Sequence, residues 1–204
     1  ILNLSNEFVV AVLSREKFLT LENSKDVLGY TTKFREDPIY LDPRHKDLGA
    51  RLITNLEKLH LSLKLLELKS SNLDEYYSVS NKLGIPQINT DKLQNNLFGI
   101  ECNLNELNGI DFKKGCYVGQ ENTARIKLKD KLSKRLFPIE VIEGDLSKDN
   151  IIHHENTELG RVLINNKFPF AIIKFKDKNF KFEKIFKCGS ASVKIKKPYW
   201  FKFD

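Results

Sequence analysis

The sequence predicts an α+β protein that ends in a small all-β module. Three observations predict it. A capped amphipathic helix is written between Asn72 and Pro86. After Asp130 the texture changes to short apolar runs separated by turn residues. And 204 residues, 41% hydrophobic and 30% charged, are enough chain to bury a core and too apolar for disorder. The change of texture falls near 127–134 and divides a first region, 1–130, from a second, 131–204.

Taken in order, Phe8 to Leu13 is a short apolar run, expected as a buried strand. Asp42-Pro43-Arg44 is a turn signal, with Leu48, Leu52, Ile53 and Leu56 following it. From Leu59 to Leu68 leucines alternate at Leu59, Leu61, Leu63 and Leu65, and periodicity leaves strand and helix both open. Asn72 is a good N-cap, and Glu75 three residues later makes a start of the capping-box kind. Tyr76, Val79 and Leu83 share a helical face, which Gly84 and Pro86 end. Strands are expected at 139–142, 161–164, 170–175 and 192–195, with turns at Gly144-Asp145 and Asn165-Asn166. Together they make a small barrel or sandwich.

The net charge of +7 is unevenly spread. Residues 1–125 carry 16 Lys/Arg against 17 Asp/Glu, and residues 126–204 carry 18 against 10. A basic surface interleaved with aromatics, running from Lys174 to Phe203, raises an RNA-binding module as one alternative. The plainer reading is stronger: Lys174, Lys176 and Lys178, then Lys194 and Lys196, keep the two-residue period of half-buried strands. Lysine on such faces also discourages strand mispairing. A nucleic-acid partner is therefore not expected.

Other classes fall away on composition. No apolar run approaches the length needed to span a bilayer, so no membrane is involved. Glu7, Arg15, Glu16 and Lys17 make the first twenty residues unlike a secretory signal or transit peptide. Three cysteines, Cys102, Cys116 and Cys188, form no disulfide framework and point to a reducing, cytoplasmic setting. They contain no C-x-x-C pair for zinc. His153-His154 with Glu155 is the one dense ligand cluster; it is expected on an exposed loop, and no metal site is expected there. No glycine-rich phosphate loop is present.

The chemistry sits in Ile110-Asp111-Phe112-Lys113-Lys114-Gly115-Cys116-Tyr117-Val118-Gly119-Gln120-Glu121. Gly115 and Gly119 bracket the cysteine and allow positive φ and close approach by another molecule. A helix-compatible run starts near Gln120, with Glu121 favourably placed in its first turn. Cys116 thus lies just before a helix and beside Lys113 and Lys114, where positive potential favours the thiolate. Packing is the commoner use of a free cysteine, and Cys102 and Cys188 are read as core residues.

The stretch Lys114-Gly115-Cys116-Tyr117-Val118-Gly119-Gln120-Glu121 resembles the K-G-C-F/Y-x-G-Q-E motif of YgfZ-type folate-binding proteins, relatives of the glycine-cleavage T-protein (aminomethyltransferase). Asp42-Pro43-Arg44 with Leu48-Gly49-Ala50-Arg51 resembles the family's D-P-R…L-G-x-R element, and Gly84-Ile85-Pro86 its G-I-P. Glu101-Cys102-Asn103-Leu104 and Leu107-Asn108-Gly109-Ile110 resemble its E-x-N-L…L-N-G-I/V run, and Pro198-Tyr199-Trp200 its terminal P-x-W. Two departures stand out. Val79-Ser80-Asn81 lacks the arginine of the family's helix, and the 41 residues before the D-P-R element are fewer than in other members. There is no methionine, even at position 1, so the front of the region is expected to be shortened or absent.

The resemblance implies a T-protein-like folate-binding region around a central channel, followed by a small C-terminal β-barrel. It implies tetrahydrofolate, or a one-carbon derivative, as cofactor, and support of iron–sulfur cluster protein maturation or repair, with an indirect effect on tRNA modification. Partners would be iron–sulfur cluster enzymes or assembly proteins, in the cytoplasm, or in the mitochondrial matrix of a eukaryote. Turnover is not required. The enzymatic alternative is an aminomethyltransferase of the glycine cleavage type, a one-carbon transferase, which the Cys116 motif disfavours. Under the resemblance Cys116 is the reactive group, and Lys114, Gly115, Tyr117, Gly119, Gln120 and Glu121 form its loop. Glu101 is the candidate partner for a pterin, and Arg44, Arg51 or Arg125 for the glutamate tail.

Overall fold

Alternating side chains build the first sheet. The structure, a computed structural model, describes residues 3–128, 132–146 and 150–202, and the chain divides into two compact units, 1–76 and 77–204. In the first, β1 (Val9–Leu13), β2 (Thr31–Phe34), β3 (Asp37–Leu41) and β4 (Ala50–Thr54) form an antiparallel sheet in the order β1-β4-β3-β2. One residue in two is buried along β3 and β4, so Ile39, Leu41, Ala50 and Leu52 form one face, closed by Phe18. Phe18 comes from α1 (Arg15–Leu19), whose first turn is capped by the Ser14 hydroxyl, 3.2 Å from the Lys17 N–H. Arg35 and Glu36, at φ 53° and 68°, make the two-residue turn joining β2 to β3, with both central residues left-handed as a type I′ hairpin requires.

The run expected as a buried strand is a strand, but β1 lies at the sheet edge with only one face covered. Val10 and Val12 are 56% and 40% exposed. The leucine alternation resolves as helix: α2 (Leu56–Leu65) is started by Asn55, whose side chain accepts the Lys58 N–H at 2.8 Å. With leucine, a good helix former, and no β-branched residue between 56 and 65, nothing opposes the cap.

The predicted helix is α3 (Leu73–Lys82), within which the division between the units falls. The Asn72 side chain accepts the Asp74 N–H at 2.9 Å, whereas the Glu75 carboxylate accepts the Ser71 hydroxyl, so Ser71 joins the start. Val79 is exposed and Ser80 is the buried residue, so the expected Tyr76–Val79–Leu83 face is rotated. The stop is as predicted. Gly84, at φ 70°, donates to the Asn81 carbonyl and Ile85 to that of Ser80, which closes the helix end.

In the second unit, α4 (Gln120–Leu128) precedes six strands. These are β5 (Arg135–Glu143), β6 (Ile151–His154), β7 (Thr157–Ile164), β8 (Phe170–Ile173), β9 (Ile185–Cys188) and β10 (Ala191–Ile195), closed as an antiparallel barrel in the order β10-β5-β8-β7-β6-β9. The four strand expectations all fall within this barrel. Their change of texture at residue 130 lies outside the described residues. His153 and His154 sit half-buried in β6, not on an exposed loop, and residues 175–179 form turns where a lysine-faced strand was expected. The phenylalanines explain that difference: Phe175 and Phe201 pack edge to face at 5.9 Å, and Phe137 lies 5.2 Å from Phe182 and 5.0 Å from Phe201. Filling one aromatic cluster demands a folded-back chain rather than an extended one. Among the described residues, no helix is long and apolar enough to cross a membrane, and no three His, Cys, Asp or Glu side chains gather as a metal site.

Candidate functional site

The motif loop leaves the barrel unit and returns to it through apolar anchors. Ile110 and Phe112 pack against the barrel core on the way out, and Ile126 of α4 does so on the return. Lys127 stands 3.7 Å over the Phe112 ring and ties the two stems together. Between them the Asp111 carboxylate accepts the Lys113 N–H at 2.8 Å, and Lys114 lies 4.7 Å over Tyr117. The Gln120 side chain accepts the Tyr117 N–H at 3.3 Å, and the Thr123 hydroxyl donates to the Gly119 carbonyl at 3.1 Å. These bonds fix the entry into α4, where the sequence expected it.

Cys116 is exposed at the head of this loop, and Val118 is fully exposed beside it. Gly119 has the positive φ that the sequence reading asked for, at 86°, and Gly115 does not. Beyond the adjoining residues, no atom of the chain lies within 4 Å of a Cβ built on either glycine, so the space beside both is open. The other cysteines differ. Cys188 is buried in the barrel. Cys102 is half-buried beside Leu136, Ile164 and Phe170, and burial, then the Glu101 charge, pushes its thiol up to about 11.

Upstream of the loop, Glu101 is half-buried and its carboxylate accepts the Phe98 N–H at 2.9 Å. Asn103 belongs to the run resembling E-x-N-L. It is fully buried and left-handed at φ 63°, its amide donating to the Leu136 carbonyl at 2.8 Å and accepting from Arg135 at 3.0 Å. Arg135 also pairs with Glu106 at 2.6 Å and lies over the Phe175 and Phe201 rings. This strut fastens the run before the motif to the first barrel strand. Arg125 is exposed and pairs with Glu121, one helical turn back, at 2.9 Å. Asn81 has an unpartnered amide nitrogen beside a cavity of about 10 Å³ that it lines with Phe168 and Phe170.

The first unit carries the other predicted cations. Asp42 is 1% exposed and holds both. Arg44 reaches it through two bonds of 3.0 and 2.8 Å, and Arg51 through one of 2.9 Å. Tyr76, not foreseen, accepts from Arg51 at 2.8 Å. Burial pulls the Asp42 carboxyl up, but the Arg44 hydrogen bonds and charge, with Arg51, outweigh it and hold it below the usual carboxylate range. Two guanidiniums against one carboxylate leave a positive charge over.

No protein-family model matches the chain. It is similar to the "iron-sulfur cluster assembly factor IBA57 homolog, mitochondrial" of Dictyostelium discoideum, 27% identical over 177 residues, which are 74% of this chain and 43% of that protein. It is 34% identical over 110 residues to the "iron-sulfur cluster assembly factor IBA57, mitochondrial" of Mus musculus, covering 54% of this chain and 30% of the relative. The human one is 34% identical over 102 residues, 50% of this chain and 28% of the relative. The chain thus spans less than half the length of the curated relatives it matches. All three are named as mitochondrial, which lends nothing to the cytoplasmic expectation.

Proposed function

We propose that this protein supports the maturation or repair of iron–sulfur cluster proteins in the mitochondrial matrix, as a relative of the YgfZ-type folate-binding family. The observation that carries the reading is the exposed Cys116 thiol on a loop anchored at both stems. An accessible thiol of that kind reaches cluster iron or a sulfur on a partner, whereas a packed one does not. Its partners are cluster enzymes or the proteins that assemble them, and any effect on tRNA modification is indirect, through enzymes that need clusters.

Tetrahydrofolate is the proposed ligand, with one-carbon chemistry as what it supplies when bound. Within the first unit, Arg44 and Arg51 keep one positive charge beyond that answered by Asp42, which suits a carboxylate of its tail. Cys116→Ser in cells lacking the wild-type protein tests the thiol: loss of cluster-enzyme activity is expected, and full complementation would leave only the loop geometry standing. Calorimetric titration with tetrahydrofolate under reducing conditions, on wild type and Glu101→Ala, tests the ligand separately. A flat wild-type trace removes the folate and leaves the cluster role to the first experiment.

A further inference from the structure

Away from the thiol loop, the second unit holds a polar groove of about 230 Å³ on the barrel wall. Its floor is Gly160 and Ile172, on neighbouring strands β7 and β8. A Cβ at Gly160 would stand 2.1 Å from the Ile172 carbonyl oxygen, so the close approach of β8 keeps this position side-chain-free and the floor low. Leu97 adds an apolar wall.

Charged groups of both signs surround that floor. Lys134, Arg161 and Lys174 supply the cations, and Glu101 and Glu158 the carboxylates. Lys174 is already engaged, donating to the Glu158 carbonyl at 2.9 Å and lying 3.5 Å from its carboxylate. Among the described residues, neither Lys134 nor Arg161 has an ion-pair partner. Three cations against two carboxylates leave one positive charge in excess. The volume holds about eight waters' worth of liquid, below the roughly 300 Å³ at which drug-sized pockets begin. It is metabolite-sized.

We propose that this groove binds a small amino dicarboxylate of the glutamate type. Lys134 and Arg161 take its two carboxylates, the Glu158 carboxylate takes its ammonium group, and its carbon chain lies on Leu97 and Ile172. Such a ligand carries one net negative charge and cancels the excess. A plain dicarboxylate or inorganic phosphate brings no cation, reverses the sign of the groove and leaves the carboxylates facing an anion. The proposal goes beyond cluster maturation; the groove shares Glu101 with the folate reading, so its test contains no folate and leaves Glu101 in place.

The test is an amide-resolved NMR titration of the full chain with L-glutamate, succinate and inorganic phosphate in turn. Saturable shifts at Gly160, Arg161 and Leu97 are expected for L-glutamate, with a dissociation constant on the order of 1 mM. Arg161→Gln removes one charge-assisted bidentate contact and should weaken binding about tenfold. Lys196→Gln, which breaks the pair with Glu140 elsewhere on the barrel, should leave binding unchanged. Thermal melts of both variants check that the fold is intact. The proposal is overturned if L-glutamate fails to saturate, if folded Arg161→Gln binds as wild type does, or if succinate or phosphate binds as tightly as L-glutamate.

Discussion

Asp42 and the two guanidiniums that grip it show how one buried charge organises its neighbours. Removing the charge leaves Arg44 and Arg51 facing each other with no counter-ion. Asp42→Asn should therefore cost about 3 kcal/mol, the low end for a broken buried pair, because both arginines keep about a quarter of their side chains in water. Urea melts at neutral pH measure it. The sign of the pH dependence follows from the lowered Asp42 value. A depressed carboxylate stabilises the fold above its unfolded value of about 3.9, and that contribution is lost as the pH falls through the folded value. Below about pH 4 the wild type should thus lose more stability than Asp42→Asn does. Equal losses in the two proteins would show the cluster to be inert. The three cysteines invite a second measurement at this scale. Cys116 is exposed, Cys188 is buried, and Cys102 is half-buried with its thiol pushed up to about 11. At neutral pH the Cys102 thiolate is then about one part in ten thousand. Brief treatment with iodoacetamide should label Cys116 alone, as read by peptide mass spectrometry. Comparable labelling of Cys102 would mean that its surroundings open readily.

At the scale of elements, the motif loop separates two glycines that look alike in sequence. Gly119 is left-handed and Gly115 is not, and neither has a neighbour that a Cβ would strike. Only backbone strain therefore distinguishes them. Gly115→Ala should change stability by less than about 0.5 kcal/mol, while Gly119→Val should cost about 1–2 kcal/mol and disturb the start of α4. Thermal melts and far-ultraviolet circular dichroism check both, and equal tolerance would place no conformational demand on the loop. What sequence could read here was local. The Gly84 stop, the start near Gln120 and the late strands are set by chemistry within a few residues of themselves. β9 was hidden, because Ile185 to Cys188 continues a lysine–phenylalanine rhythm that began in the turns before it. The Asp42 cluster was hidden for another reason. Arg51 meets Asp42 because β3 and β4 pair with Leu41 opposite Ala50, a register that no spacing along the chain encodes.

Across the whole molecule, burial is gathered into separate centres that belong to different stretches of chain. Phe18, Ile39, Leu41, Ala50 and Leu52 form one, and the barrel cluster around Phe137, Phe186 and Val193 forms another. A domain-like unit with its own core responds first to damage within that core. Phe18 is fully buried, brought to the sheet by a helix of only five residues. So short a helix has little stability of its own and is held by what Phe18 buries. Phe18→Ala should cost about 3–5 kcal/mol within the first unit. Hydrogen exchange provides the readout: amides of β1, β3 and β4 should lose protection in the variant while those of β5, β8 and β10 keep theirs. The protected barrel would then still present Cys116, since the anchors of its loop, Ile110, Phe112 and Ile126, all pack on the barrel core. Equal loss of protection in both sets of strands would instead make the chain one cooperative body, and damage at Phe18 would then be felt at the thiol as well.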